Sequence, residues 1–342
     1  MKKITILIPA YNEEANLRPL LIELEKFCTK KYNIVIEEKG KFDVVSSVKW
    51  NFNPLDFDWE FLFVNDGSKD NTLELLYELQ EKDSRINVVN LSRNFGKENA
   101  MLAGMDYSTG DAVIIMDADL QHPVSAIPEM IYWWMQGYDD VYARRESRGK
   151  EPWLRKKMSL WFYSLLQSST RIEILQNVGD FRLLDIRVVR AICSLRETQR
   201  YTKGLYCWVG FKKKEILFKQ SDRAFGDSKW KPMGLLNLAI DGITCFTTAP
   251  LRIATVIGCL VAFLSLFYLL FVFIKTIFWG DNVQGFPTLM CVMLFIGGIQ
   301  LIALGIIGEY IGRIFNETKM RPPYIIESYN NTKKYNNKDR KL

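Results

Sequence analysis

Apolar residues along this chain follow three rhythms, and each predicts a different kind of element. In the first half, short β-branched or aromatic runs at 3–9, 59–64, 85–91 and 139–143, and another that ends at Asp117, read as strands. Between them, helical spacing predicts a helix from the loop Tyr11-Asn12-Glu13-Glu14 to about Cys28. A second helix carries Leu73, Leu75, Leu76 and Leu79, and a third covers about 97–108. Strands alternating with helices predict an α/β domain with a largely parallel sheet and helices on both faces. Residues 29–58 interrupt that alternation with mixed charge, Lys39-Gly40-Lys41 and Pro54, and read as a surface hairpin or loop insertion.

The second rhythm is amphipathic. Over 152–169, Leu154, Met158, Trp161 and Leu165 form one stripe, with Arg155, Lys156, Lys157 and Ser159 around the other side. A basic helix rich in aromatics suits a membrane interface; a helix packed on the sheet with a solvated basic face has the same pattern. Residues 229–250 read as a second interfacial segment. The third rhythm is unbroken. Residues 253–274 and 286–308 carry no charge, and each exceeds the roughly 20 residues that cross a bilayer core. The pattern predicts two membrane spans, at 251–278 and 286–312, followed by a basic tail at 313–342.

Composition changes this picture little. Hydrophobic residues are 48% and charged residues 25% of the 342, as in ordinary globular chains. The net charge, 45 minus 39 or +6, is modest, and no nucleic-acid partner is expected. The apolar run at 4–10 is too short for a signal peptide. Six cysteines without metal-finger spacing read as small hydrophobes in a reducing compartment. The loop at 279–285 has Asp281 and no Lys or Arg, whereas Arg252, Arg313, Lys319 and Arg321 flank the spans; Lys275 runs against the trend. The positive-inside tendency then puts the large domain and both termini in the cytoplasm. Gly308 and Gly312 would let the spans approach closely. The Asn- and Lys-rich tail from Ser328 reads as disordered.

Three polar clusters fall at expected strand ends: Tyr11-Asn12-Glu13, Asp66-Gly67-Ser68 and Asp117-Ala118-Asp119. Ligands of parallel α/β sheets bind beyond those ends. On extended backbone, Asp117 and Asp119 would project to one side and suit Mg2+ or Mn2+ with substrate phosphates completing the shell. An isolated Asp-x-Asp equally suits a polar loop. His122, the only histidine, reads as a turn residue beside Pro123.

Taken in order, Ile8-Pro9-Ala10-Tyr11-Asn12-Glu13-Glu14, Asn65-Asp66-Gly67-Ser68-Lys69-Asp70 and Asp117-Ala118-Asp119-Leu120-Gln121 resemble family 2 glycosyltransferases of the GT-A fold. Gly179-Asp180-Phe181-Arg182-Leu183, Gly226-Asp227-Ser228-Lys229-Trp230, the 305–313 stretch and Arg321-Pro322-Pro323-Tyr324 narrow the resemblance to bacterial polyprenyl-phosphate glycosyltransferases, relatives of dolichol-phosphate mannose synthase. The resemblance covers nearly the whole chain except 29–58 and the tail. It implies a cytoplasmic GT-A domain at 1–228, with inverting transfer of glucose or another hexose from a nucleotide sugar, first of all UDP-linked, to polyprenyl (undecaprenyl) phosphate. Such a product is a membrane donor for cell-envelope glycans. A homo-oligomer is left open.

The resemblance implies that Pro9, Tyr11, Asn12, Glu13, Asp66, Lys97 and Asp117 hold the nucleotide sugar. It assigns Asp117, Asp119 and Gln121 to the metal and points especially at Arg145, Arg155, Ser159 and Arg223 for the lipid phosphate, where the need for cations and polar groups adds Lys229 and Ser228. Asp117, Asp119 and Asp180 are the expected catalytic residues; Asp180 equally suits an ion pair with Arg182 or Arg187. Two departures stand out: Asn65 replaces the usual first Asp of Asp-Asp-Gly-Ser, and Lys97 stands where many relatives have His. A transferase for another lipid such as diacylglycerol, or a catalytically silent membrane scaffold that binds nucleotide sugar, are the competing readings.

Overall fold

The computed structural model describes residues 1–39, 45–146, 178–198, 200–218, scattered positions of 251–278, and 285–333. The expected helix at 152–169 and the segment at 229–250 lie outside the described residues, as do Arg155, Ser159, Arg223, Ser228 and Lys229. The chain forms two compact units: one of 1–164, 172–231 and 322–342, the other of 165–171 and 232–321.

In the first unit, β1 (Lys2–Ala10) and β4 (Phe57–Asn65) run side by side in parallel, Ala10 opposite Asn65. β5 (Ile86–Leu91) extends the sheet in parallel beyond β4, and the short β6 (Ala112–Ile115) pairs in parallel with the other side of β1. These strands are rich in Ile, Leu, Val and Phe because both faces are buried, which removes the alternation of a half-exposed strand. Helices α1 (Glu14–Thr29), α2 (Thr72–Lys82), α3 (Lys97–Tyr107) and α4 (Ile127–Met135) link the strands. On α1, Leu17, Leu20, Leu21 and Leu24 share one buried face, each stabilising by about 1.5–3 kcal/mol. Helix α3 presses so close to the sheet that a Cβ at Gly104 would stand 2.0 Å from Leu7 Cδ1. Its small residues Ala100, Ala103 and Gly104 are what permits the approach.

Beyond β6 the direction changes. β8 (Val178–Asp185) is antiparallel to β6 and to β7 (Asp140–Arg145), and it leads into α5 (Ile186–Ser194). After α6 (Thr202–Trp208), β9 (Lys213–Phe218) runs parallel to β7 at the edge. The parallel centre is thus as expected, with antiparallel strands added on both flanks. The insertion is a hairpin, β2 (Tyr32–Lys39) against β3 (Val45–Phe52), in a two-stranded sheet of its own. Its Trp50 packs on Tyr132 of α4, 5.5 Å between ring centroids.

Two expectations are corrected. β6 stops at Ile115, so Asp117 sits on the loop past the strand rather than at its end. The start of the tail, as far as Lys333, is not loose: β10 (Ile326–Tyr329) adds antiparallel to β5, and β11 (Thr332–Lys333) pairs with β10, while 334–342 lie outside the described residues. Composition concealed this because the segment is anchored by polar bonds. Asn330 Oδ1 accepts the Val88 N–H at 2.8 Å, and its own N–H donates to Val88 O at 2.9 Å.

In the second unit, α7 (Phe286–Thr318) is 33 residues long, about 50 Å at 1.5 Å per residue. It therefore runs past the expected end of the span at 312. Its portion Phe295–Thr318 is apolar and long enough to cross a membrane, and exposed Leu301, Ile302, Leu304 and Ile311 give it an apolar surface. Described residues between 251 and 278 are helical as well, with Phe263, Phe267 and Phe271 exposed. Glu309 pairs with Arg313 one turn on, at 2.8 Å.

Candidate active site

Strands β4, β1 and β6 are neighbours in the sheet, so their trailing loops meet at one end. The first two loops are stitched together by their own polar side chains. Asn12 N–H donates to Ser68 Oγ at 3.0 Å, Lys69 N–H to Asn12 Oδ1 at 2.8 Å, and Glu13 N–H to Thr72 Oγ1 at 3.0 Å. Asn12 adopts φ +53, which Asn tolerates better than most residues. Glu13 Oε2 accepts from Asn16 at 2.6 Å, and Pro9 and Tyr11 belong to the same β1 terminus. Asp66, 3% exposed, accepts the N–H groups of Phe95 and Gly96 at 2.7 and 3.0 Å. Burial pushes its carboxyl up, against the pull of those two bonds. Asp66 thereby fixes the loop that opens α3.

Gly67 is a position only glycine fills. Its φ is +63, and a Cβ there would lie 2.4 Å from the Arg93 carbonyl carbon. Gly67→Ala is expected to displace the 92–96 loop, losing about 1–3 kcal/mol of stability; urea unfolding checks it, and a wild-type midpoint would contradict the close approach.

The third loop carries the charge. Ile115 lies opposite Arg182 in the β6–β8 pairing, so two steps outward Asp117 and Asp180 face each other. Between them stands Lys97, the first residue of α3. Its Nζ is 2.6 Å from Asp117 Oδ1 and 2.8 Å from Asp180 Oδ2. Burial would penalise all three charges, but the neighbouring Lys97 holds both carboxyls below the usual carboxylate range, and they raise the Lys97 ammonium in turn. Asp180 also feels Lys203 and Arg182. Its other oxygen, Oδ1, is buried without a hydrogen-bond partner among the described residues.

The expected partners of Asp180 are corrected here. Arg182 is committed elsewhere, to Asp140 at 3.0 Å beneath the site, and Arg187 to Asp139 and Asp185. The role read for His122 is also too small. It is buried, stacks on Phe181 at 4.7 Å with rings 6° from parallel, and its Nδ1 accepts the Asp117 N–H at 3.0 Å. Burial lowers its pKa, which suits the neutral ring this bond needs. His122 is a positioning residue for Asp117. Glu98 was missed altogether: it accepts the Thr202 N–H at 3.2 Å, and burial and nearby Asp180 raise its pKa. A lone Glu after Lys97 gives no signal in sequence, since α6 supplies its surroundings.

Asp119 Oδ1 accepts the Gln121 N–H at 3.1 Å, which curls the loop through Leu120 at φ +63. Arg145 ends β7 at the same edge of the sheet. Among the described residues, no three His, Cys, Asp or Glu side chains are gathered into a cage for a metal ion. Asp117 and Asp119 nevertheless stand two residues apart on one loop, with Gln121 N–H bonded to Asp119 Oδ1 at 3.1 Å, a donor set that fits a hard cation held by one or two carboxylates plus substrate phosphates.

An α/β sheet with such strand-end loops, one bearing two carboxylates, is an architecture that places ligands beyond its strand ends. The glycosyl transferase family 2 pattern matches residues 44–193, and the GtrB C-terminal hairpin pattern matches 249–314. The chain is 43% identical over 324 residues to an uncharacterized glycosyltransferase of Synechocystis, covering 95% of this chain and 94% of that one. It is 40% identical to the bactoprenol glucosyl transferase of Shigella phage SfX, covering 95% and 99%, and 39% to a prophage bactoprenol glucosyl transferase homolog of Escherichia coli K12, covering 95% and 98%. The chain belongs to glycosyltransferase family 2, with the C-terminal hairpin of the GtrB kind. It is a GT-A glycosyltransferase associated with membranes.

Proposed function

We propose that this transferase moves glucose from a nucleotide sugar, UDP-glucose first of all, to bactoprenol phosphate at the cytoplasmic face of the membrane, with inversion at the anomeric carbon. The observation that carries the reading is the Lys97 bridge between Asp117 and Asp180, in a chain with full-length relatives named for glucose transfer to bactoprenol.

The acceptor is a phosphate monoester with a second pKa of about 6. It is anionic at neutral pH and needs no strong general base. Its oxygen attacks the anomeric carbon as the bond to the nucleotide diphosphate breaks on the opposite side, and charge collects on the departing diphosphate. A divalent cation, Mg2+ or Mn2+, would be held by Asp117 and Asp119 with Gln121 beside them, and when bound it neutralises that charge. The loops of Pro9, Tyr11, Asn12, Glu13 and Asp66 hold the nucleoside half. Lys97 sets the spacing of Asp117 and Asp180, and Asp180, with one oxygen unpartnered among the described residues, orients the sugar. Arg145 receives the acceptor phosphate; Arg155, Ser159 and Arg223 join it by family resemblance, and Ser228 and Lys229 as further polar and cationic groups. The two apolar helical stretches span the bilayer as a hairpin, with the catalytic unit and both termini on the cytoplasmic side.

Purified full-length protein given labelled UDP-glucose is expected to label polyprenyl phosphate and not diacylglycerol. Labelling of diacylglycerol alone would replace the acceptor in this reading.

A further inference from the structure

The strand that follows the long helix reaches into the donor side of the site through a relay of amides. Glu327 on β10 accepts from Asn90 Nδ2 at 3.3 Å, and Asn90 Oδ1 accepts from Asn65 Nδ2 at 2.8 Å. Asn65 Oδ1 then accepts the N–H of Ser68 at 3.3 Å. Asn65 is 1% and Asn90 4% exposed, so water does not substitute freely along the Asn90–Asn65 bond, whereas Glu327 is exposed and caps the relay from the surface. The direction of the relay follows from chemistry alone. An ionised carboxylate only accepts, so Asn90 must turn its nitrogen to Glu327 and its oxygen to Asn65. Position 65 must therefore donate, which asparagine does and ionised aspartate does not. This accounts for an amide rather than a carboxylate at position 65.

The geometry points to Glu327 and Asn90 as positioning residues of the donor site, which orient Asn65 and, through it, the Asp66-Gly67-Ser68 turn. The inference rests on the reading of that turn as the nucleoside-holding loop. β10 is well placed for the task. Ser92 N–H donates to Ile325 O at 3.0 Å on one side of Glu327, and on the other the Ser328 and Tyr77 hydroxyls meet at 2.8 Å. A compensation rule follows: aspartate at 65 is compatible with a donor at 327 and conflicts with a carboxylate there.

The test is a double-variant cycle in the full-length protein, read as uridine diphosphate affinity and as donor KM against kcat. Asn65→Asp brings a carboxylate against the Asn90 oxygen, and a buried acceptor without a donor is expected to raise the donor KM about tenfold, with kcat changed much less. Adding Glu327→Gln lets Asn90 turn over: the glutamine donates to the Asn90 oxygen, and the Asn90 nitrogen donates to Asp at 65. The double variant is expected to return to within about twofold of the wild-type KM. A wild-type KM for Asn65→Asp, or a double variant as impaired as Asn65→Asp, would overturn the inference. Should Asn65→Asp fail to fold, recovery of a cooperative melt in the double variant supports the relay and its absence overturns it. Normal transfer by the wild type with no rescue in the double variant removes only the relay; a wild type that binds no uridine diphosphate removes the donor reading with it.

Discussion

Asp117→Asn is expected to reduce sugar transfer by roughly 10²–10³-fold, the scale for losing one electrostatic contact to charge that develops in the transition state. The substitution keeps the side chain's shape and removes its charge. The fold has little reason to suffer. His122 accepts from the backbone N–H of residue 117, a bond that does not involve the side chain. Lys97 keeps Asp180 at 2.8 Å, and its own side chain is 43% exposed, so water screens much of what is lost. The measurement is transfer of labelled sugar into lipid extract, with a melting curve beside it. An unchanged rate would remove Asp117 from the chemistry; a collapsed melt would make it structural.

The largest effect on stability is expected at Asp140→Asn. Arg182 and Asp140 are 1% exposed each, 3.0 Å apart, in the layer directly below the site. Burial raises the Asp140 carboxyl and Arg182 opposes it. The Arg182 guanidinium also covers the Tyr206 ring at 3.6 Å and donates to Gly179 O at 3.3 Å. Removing the single negative charge leaves a buried cation without its counter-charge, which costs about 3–5 kcal/mol. For a domain of this size that is a fall in Tm of roughly 10 °C. An unchanged Tm would mean that the pair is far better hydrated than its burial implies. Because Gly179 lies beside Asp180, donor affinity should fall in the same variant.

The parallel centre of the sheet was readable because β1, β4 and β5 are apolar runs bounded by polar clusters, and α2 spaces its leucines at helical intervals. The strand-end convergence of Asp66 and Asp117 followed from the same alternation. What sequence left hidden depends on contacts between distant segments. The pairing of Lys97 with Asp180 comes from the antiparallel register of β8 on β6, which no local period encodes. His122 looked like a turn residue because its stacking partner, Phe181, is 59 positions away. The strand at 326–329 was hidden in the sequence because it is held by Asn330, Tyr77 and Asn90 rather than by apolar periodicity. Family resemblance named Asn65 as a departure; only the bonds to Asn90 and Ser68 give it a physical reason.

The lipid product is the most direct readout of this transferase. Purified full-length protein, supplied with labelled UDP-glucose, a divalent cation and polyprenyl phosphate, is predicted to form an organic-soluble, acid-labile sugar lipid, and to lose that activity in Asp117→Asn. Nucleotide-sugar binding with no lipid-linked product from any of glucose, galactose, mannose or N-acetylhexosamine donors would contradict it and leave a binding scaffold in its place.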